Sequence, residues 1–255
     1  MLKKCIASIM MLVMVLGISL QINAQDKEDY TMWETLMFTP DYTNLKVLGE
    51  NMKKHNALYH NTGPYKATVY NISTGPNSGN MIWQMGPMMF KHNHSRPTGA
   101  HDIHWRDQVM PYIKQIQTLE YWIQDDDLSN TKMLVEEDTN YPILYVRFME
   151  LNDDSQYLMK DFFKKVSETI KSMPGENPWG LYYNEFIQGD LGRHVASVNF
   201  NKSWTEFDVQ GPSFKDAYEK INGENSLQNL IDTRDNLFKD AFDEIWEYNK
   251  ELSGD

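Results

Sequence analysis

The sequence predicts an α+β fold made of two tandem β-α-β-β-α-β units. A strand-like run that ends in acidic residues and leads into an amphipathic helix occurs twice, opening at residues 33–41 and 144–153. Each helix stops before a proline and an aromatic residue, at Pro64-Tyr65 and Pro178-Trp179. A glycine-rich turn then follows in both copies, and matching features lie 112 to 114 residues apart. A constant offset of this kind indicates an internal repeat.

The first unit is predicted from changes in hydrophobic period. Alternation every two residues indicates strands, and spacings of three and four indicate helices. The first helix carries Leu45, Leu48 and Met52 on one face, and Asp41 or Thr43 can cap it. We predict a strand at 30–38, this helix up to residues 61–64, and a hairpin of strands at 65–73 and 81–85. A long loop at 86–100, a helix at 100–116 and a strand at 119–124 complete the unit.

The second unit repeats this order up to its last element. We predict a strand at 143–151, a helix with Leu158, Phe162, Val166 and Ile170 on one face, and strands at 180–187 and 194–200. Residues 214–252 are predicted to be mostly helical, broken at Gly223, because their apolar residues follow a helical stripe. No final strand is evident, and residues 204–209 are the candidate for a substitute strand.

Residues 1–24 have the pattern of an export signal. Lys3 and Lys4 precede an apolar run from residue 6 to residue 20, and a small residue, Ala24, follows it. The run is short for a retained membrane anchor. We therefore expect a signal peptide at 1–24, a first unit at 25–127, a linker at 128–142 and a second unit at 143–255. The protein would be exported to the periplasm or outside the cell.

The predicted mature chain is acidic and contains no cysteine. Its only cysteine, Cys5, lies in the signal, so neither a disulfide nor thiol chemistry is expected. Without the two signal lysines, 22 basic residues face 36 acidic ones, a net charge of −14. This charge argues against nucleic acid as a partner, since its phosphates are bound by lysine and arginine. It also argues against an anionic membrane surface.

Two tandem units with this element order and these turn positions resemble the dimeric α+β barrel superfamily. The resemblance spans about 220 residues and rests on element order, lengths and turns, so no functional residue is carried over. The superfamily includes antibiotic-type monooxygenases, heme-degrading and heme-binding proteins, muconolactone-isomerase-like enzymes and the NIPSNAP group. The resemblance implies that the two ferredoxin-like sheets join edge to edge in a pseudo-symmetric barrel. It also implies a cavity between each sheet and its helices.

Four of the seven histidines fall within 13 residues and form the predicted metal set. His92 and His94 share one side of an extended segment, and His101 and His104 are neighbours on a helix surface. Zinc or copper accepts imidazole nitrogens at such spacings, and heme would need only one histidine as an axial ligand. A solvated polar loop leading into a helix is the other interpretation of this segment.

The predicted ligand-binding residues are Trp33, Trp83, Arg147, Tyr183 and Glu185. The three aromatic residues belong to a large aromatic set on the strands, which suits the walls of a cavity and equally suits core packing. Arg147 and Glu185 interrupt apolar runs, so if they point inward they form either a buried ion pair or a polar pair in a pocket. Arg193 and His194 could join the same cavity.

These features support three functions. The first is an exported barrel protein that binds a small organic ligand in a cavity between sheet and helices. The second is a metal- or heme-assisted monooxygenase or lyase that uses the histidine loop. The third is a structural or interaction module. The sequence contains no known catalytic motif, so catalytic residues are not assigned, and assembly into a homo-oligomer stays open.

Overall fold

Eight antiparallel strands close into a barrel in the computed structural model. The structure describes residues 29–134, 141–152, 155–186, 191–209 and 211–254, and the barrel lies in the compact unit that begins at Thr31. The predicted signal, residues 1–24, lies outside the described residues. The strands are β1 (Met32–Pro40), β2 (Ala67–Thr74), β3 (Met81–Met88), β4 (Ile113–Gln124), β5 (Ile143–Leu151), β6 (Trp179–Asn184), β7 (Val195–Asn201) and β8 (Phe238–Tyr248).

Each half of the chain supplies four neighbouring strands. Around the barrel the order is β1-β3-β2-β8-β5-β7-β6-β4, and β4 pairs with β1 to close it. The first half therefore has the strand order β4-β1-β3-β2, and the second repeats it as β8-β5-β7-β6. The two sheets join where β2 pairs with β8 and where β4 pairs with β6. The predicted fold class, two ferredoxin-like units in one barrel, is confirmed.

Helices cover the outer faces of the two sheets. The first unit contributes α1 (Leu45–Tyr59) and the short α2 (Ala100–His104), which continues into a π-helical turn at Trp105–Val109. The second contributes α3 (Met159–Ser172), α4 (Phe214–Asn222) and α5 (Leu227–Leu237). Within the described ranges, no helix combines the length and the apolar character that a membrane crossing requires.

Apolar side chains fill two regions, one inside the barrel and one beneath the second helical layer. Inside, Phe148, Trp122 and Trp246 belong to one buried cluster. Outside the second sheet, Phe162 and Leu237 belong to another, with Leu181 from β6. Successive residues of a strand point to opposite faces. The strands of the second sheet therefore supply side chains to both regions, as β5 does with Phe148 inside and Met149 outside.

The last strand corrects the prediction for the C terminus. Residues 214–237 form the two helices α4 and α5, but Phe238–Tyr248 is strand β8, not helix. Phe238, Phe242, Ile245 and Trp246 have helical spacing. Once the strand is paired with β5, Phe242 and Trp246 join the cluster inside the barrel, where Phe148 pairs with Phe242. Phe238 packs outside, beyond a shift in the strand register. Pairing on both sides, with β5 and β2, outweighs the local helical pattern because it closes the barrel.

Two further predictions are corrected. Residues 204–209 do not form a substitute strand, since Trp204–Phe207 is a single 3₁₀ turn. The helix predicted at 100–116 ends at Val109, and β4 already begins at Ile113. Pro111 accounts for the early end, because proline lacks the N–H that a helix interior requires and restricts the residue before it.

Candidate ligand cavity and histidine cluster

The barrel encloses a cavity of about 540 Å³ that receives side chains from all eight strands. Residues 61–63, before β2, and residues 86–87, near the end of β3, lie at one end of the barrel and form its mouth. Thr31, just before β1, lines it together with these strand residues: Trp33 and Thr35, Thr68 and Tyr70, Gln84, Trp122 and Gln124, Leu144, Val146 and Phe148, Tyr182, Ala196, Val198 and Phe200, and Trp246. This volume lies in the range of small-molecule sites.

The two sheets give the cavity two chemically different walls. The first sheet supplies hydroxyl and amide groups, for example Thr35, Thr68 and Gln84. The second supplies aliphatic and aromatic groups, for example Val146 and Val198. Among the described residues, the lining contains no acidic side chain, and its one formally charged residue is Lys66 at the mouth. The cavity therefore suits an uncharged molecule that has an apolar body and a polar edge.

Two hydrogen-bond donors in the cavity have no partner among the described residues. The Trp33 and Tyr182 rings meet edge to face with centroids 5.4 Å apart, and both line the cavity. Burial raises the pKa of the Tyr182 hydroxyl, so this group remains a neutral donor at ordinary pH. By contrast, Gln84 already donates to Thr35 Oγ1 at 3.1 Å. The Trp33 indole N–H and the Tyr182 hydroxyl are thus available to a ligand.

Two buried carboxylates accept hydrogen bonds from the protein, and one of them, Glu120, also has a cationic partner. Glu120 accepts hydrogen bonds from Arg193 Nε at 3.0 Å and from Trp122 Nε1 at 3.2 Å. In the second unit, Glu244 accepts from Asn77 Nδ2 at 2.6 Å and from Trp246 Nε1 at 2.8 Å. Arg193, predicted to join the cavity, instead lies 3.8 Å from the centre of the Phe148 ring and forms the buried ion pair with Glu120.

The five predicted ligand-binding residues do not share one pocket. Trp33 lines the barrel cavity, and Trp83 lies on the outer face of β3, where its Nε1 donates to Asn56 Oδ1 at 3.0 Å. Arg147 points outward and pairs with Asp243 at 2.7 Å, so it does not form a buried pair with Glu185. Tyr183 lies outside the barrel with its hydroxyl 3.5 Å from Asp125 Oδ2, and Glu185 is exposed beyond β6.

Half of the predicted metal set joins a cluster that the sequence did not reveal. His101 and His104 on α2 meet His55 on α1 and His60, the residue after α1. His92 and His94 instead belong to the 3₁₀ turn Phe90–Ser95, where His92 Nδ1 accepts a hydrogen bond from the Met89 N–H at 3.0 Å. A signal for His55 existed, since it follows Leu48 and Met52 on the buried face of α1.

The four histidine rings are close together and shielded from solvent. His55 and His60 are buried, with exposed fractions of 0% and 1%. His55 Nδ1 lies 3.1 Å from His104 Nδ1, and His60 Nε2 lies 3.1 Å from His101 Nε2. Burial lowers the pKa of His55 to about 3 and that of His60 to about 4. Both are therefore neutral imidazoles at neutral pH, the form that binds metal ions.

No family model matches the chain, and no curated protein matches it in sequence. Solved structures match its fold. An anthrone oxidase-like protein superimposes with a TM-score of 0.54 at 14% identity, over 87% of this chain and 92% of the other. A candidate chlorite dismutase gives 0.51 at 8% identity, over 88% and 97%. The chlorite dismutase from Candidatus Nitrospira defluvii in complex with imidazole gives 0.50 at 8%, over 88% and 93%.

The chain has the dimeric α+β barrel fold. At these identities the likeness extends to the fold and not to an activity. The superfamily resemblance implied a cavity between each sheet and its helices, and the second unit has one, of about 380 Å³, lined by Arg147, Trp179 and Phe163 among others. Of these two cavities, the one inside the barrel is the larger.

Among the described residues, neither the second-unit cavity nor the histidine cluster of the first unit fits a heme. The lining of the second-unit cavity contains Met149 but no histidine, cysteine or tyrosine, so the usual fifth ligand is missing. In the first unit the histidine rings pack against one another with centroids about 5 Å apart, which leaves no space for a macrocycle between them. We derive no chemistry through heme.

Proposed function

We propose that the protein is an exported binding protein whose barrel cavity holds a small, uncharged, ring-containing organic molecule. The observation that carries this proposal is the cavity of about 540 Å³ in which the Tyr182 hydroxyl and the Trp33 indole N–H lack partners among the described residues. An acceptor on a ligand in the cavity would receive a hydrogen bond from either group. A cavity with two available hydrogen-bond donors favours ligand binding over a purely structural role.

The chemistry of the ligand follows from the two walls. Aromatic and aliphatic groups such as Phe148, Val198 and Trp246 suit the flat face of a ring. The threonine and glutamine side chains on the opposite wall suit hydroxyl or carbonyl groups at the edge of that ring. No carboxylate or guanidinium from the described lining faces the cavity, so we expect charged analogues to bind more weakly.

Tryptophan fluorescence tests this proposal, since Trp33, Trp122 and Trp246 line the cavity. We expect 2-naphthol to quench the fluorescence saturably, and naphthalene-2-sulfonate and maltose to have little effect at the same concentrations. Tyr182→Phe should weaken binding of 2-naphthol by about two- to tenfold, the value of one hydrogen bond of about 0.5–1.5 kcal/mol. Tyr183→Phe, one residue along and on the outer face of the barrel, is the matched control and should bind as the wild type does.

A second pair of variants tests the location by filling space. Val198→Phe adds volume inside the cavity, whereas Asn199→Phe adds the same side chain at an exposed neighbouring position. Binding should be lost in the first and retained in the second. Equal affinity in both, together with no effect of Tyr182→Phe, would place the ligand elsewhere and refute the proposal.

Export is part of the same proposal and has its own test. The full chain should appear in the periplasm or medium of a bacterial host, with a mass that matches cleavage between Ala24 and Gln25. A chain that starts at residue 25 should stay in the cytoplasm. Recovery of the uncleaved full chain from the cytoplasm would contradict export. Assembly into a homo-oligomer stays a prediction, which sedimentation of the mature protein tests.

A further inference from the structure

The four-histidine cluster is separate from the barrel cavity, and its ring nitrogens cannot all be matched as donors and acceptors. His60 Nδ1 lies 2.8 Å from the Tyr65 carbonyl oxygen. A carbonyl oxygen only accepts, so the ring hydrogen of neutral His60 must be on Nδ1. His60 Nε2 then carries a lone pair and no hydrogen.

His101 presents the same kind of atom to His60. Its Nδ1 lies 2.8 Å from Asp102 Oδ1, and an ionised carboxylate only accepts hydrogen bonds. In neutral His101 the hydrogen is therefore on Nδ1, which leaves a lone pair on Nε2. The two Nε2 atoms lie 3.1 Å apart. Two lone pairs at this distance repel each other unless a proton or a metal ion lies between them.

The other two rings also have unmet requirements. His55 Nδ1 and His104 Nδ1 are 3.1 Å apart, so one of them can donate to the other. Each ring then still has its Nε2, and both Nε2 atoms are buried without a partner among the described residues. The ring that accepts at Nδ1 must carry its hydrogen on Nε2, which makes a buried donor without an acceptor. Such groups are rare in proteins unless water or an ion satisfies them.

We propose that His55, His60, His101 and His104 form a binding site for one late first-row divalent metal ion, Cu²⁺ or Zn²⁺. One ring nitrogen from each of His55, His60 and His101 lies within 4.8 Å of the others, and His104 lies at the edge of this group of three, with its Nδ1 3.1 Å from His55 Nδ1. Nitrogen ligands about 2.0–2.1 Å from a tetrahedral metal ion lie about 3.3 Å from one another, close to the 3.1 Å of both histidine pairs. An ion between the rings would remove the lone-pair repulsion.

The surroundings have the features of a supported metal site. The Tyr65 carbonyl and the Asp102 carboxylate accept from the outer nitrogens of His60 and His101, which fixes the orientation of both rings. A π-helical turn follows His104 directly, and such turns are frequent at functional sites. Imidazole ligands suit copper and zinc, and copper has the higher intrinsic affinity.

The first test uses the mature wild-type chain, made without a histidine tag and dialysed against EDTA. It is titrated with Cu²⁺, Zn²⁺ and Co²⁺, and elemental analysis counts the ions retained. We expect one ion per chain, with Co²⁺ giving the strong visible bands of a four-coordinate site. Preference for copper or for zinc in direct competition identifies the ion. If none of the three ions is retained at one per chain, a shared proton occupies the cluster and the proposal fails.

The second test uses variants on the less buried helix α2. His101→Ala and His104→Ala should lose the ion and the Co²⁺ bands. His94→Ala, a histidine of the same loop that lies outside the cluster, should retain both. Circular dichroism checks that each variant folds. If a variant does not fold, the ion count of the wild-type chain decides the proposal. Wild-type metal content in both α2 variants would overturn the proposal. Tyr182→Phe should not change metal content, which separates this site from the barrel cavity.

Discussion

Tyr182 and Tyr183 are adjacent on β6 and belong to different regions of the protein. Tyr182 lines the barrel cavity, and Tyr183 packs with the apolar cluster beneath the second helical layer. Burial raises the pKa of both hydroxyls, so both stay protonated over the neutral range. The difference between them is the space in front of the ring, which only Tyr182 offers to a ligand.

These raised pKa values predict the response to alkaline pH. Below the ordinary tyrosine pKa of 10.0, the folded and the unfolded chain both hold the proton, and the contribution to stability is constant. Above it the unfolded chain releases the proton while the folded chain keeps it, so the free energy of unfolding falls by up to about 1.4 kcal/mol per pH unit for each tyrosine. Urea unfolding at about pH 8 and about pH 11 should show this loss.

The same measurement on a variant gives the control. Tyr182→Phe should lose less stability over this pH range than the wild type, since one titrating group is gone. The affinity of the wild type for 2-naphthol should be constant over the neutral range, because Tyr182 does not titrate there. A change in affinity near pH 7 would show that another group controls binding.

Asp102 makes a second prediction at the scale of single residues. Its carboxylate accepts a hydrogen bond from His101 Nδ1 at 2.8 Å and one from the Gly99 N–H at 3.2 Å, and the side chain is largely exposed. If the cluster binds metal, Asp102→Asn should weaken the binding by about 10- to 100-fold without removing a ligand. Asp107→Asn, which affects a carboxylate paired with Arg106 beyond the same helix, should leave the affinity unchanged. Equal effects of the two changes would point to general surface charge.

At the scale of elements, β4 and β8 are equivalent strands with a shared pattern. Glu120 and Trp122 on β4 correspond to Glu244 and Trp246 on β8, and in each strand the tryptophan N–H donates to the glutamate. This spacing was the available signal for the missing final strand. It was hidden because the apolar residues of β8 also fit a helical stripe, and only pairing with distant strands decides between the two.

The buried carboxylates make a prediction about stability. Arg193→Met should destabilise the protein by about 3–5 kcal/mol, because Glu120 is left buried without its cation. The double variant Glu120→Gln with Arg193→Met should recover part of this loss. Arg147→Met removes the half-exposed ion pair with Asp243 and should cost at most about 1 kcal/mol. Urea denaturation measures the free energy of unfolding of all three variants. Equal losses in Arg193→Met and Arg147→Met would refute the expected difference between a buried and a half-exposed ion pair.

At the scale of the whole molecule, closure of the barrel depends on both halves. The edges of the first sheet, β2 and β4, pair with β8 and β6 of the second. Residues 25–127 or 143–255 alone should therefore expose two strand edges and the apolar interior, and should aggregate or stay unfolded. Circular dichroism and size-exclusion chromatography of each half, and of the two mixed, check this. A stable, monomeric isolated half would contradict it.

The sequence predicted the architecture better than the site, for a physical reason. Period, caps and turns are local, so the repeat and most strands could be recognised from neighbouring residues. The cavity combines residues of all eight strands, and the histidine cluster joins positions about 50 residues apart, such as His55 and His104. Because both faces of each strand are covered, alternation alone could not distinguish Tyr182 from Tyr183.

The histidines of the cluster all come from the first unit, and the corresponding layer of the second unit is apolar. A barrel made from two identical chains would carry each surface, pocket and ligand set twice. Joining the halves in one polypeptide removes that obligation. The side chains of each half can then change independently while the strand pairing between the halves stays the same. A single chain can therefore have different sites in its two halves, which an assembly of two identical chains cannot.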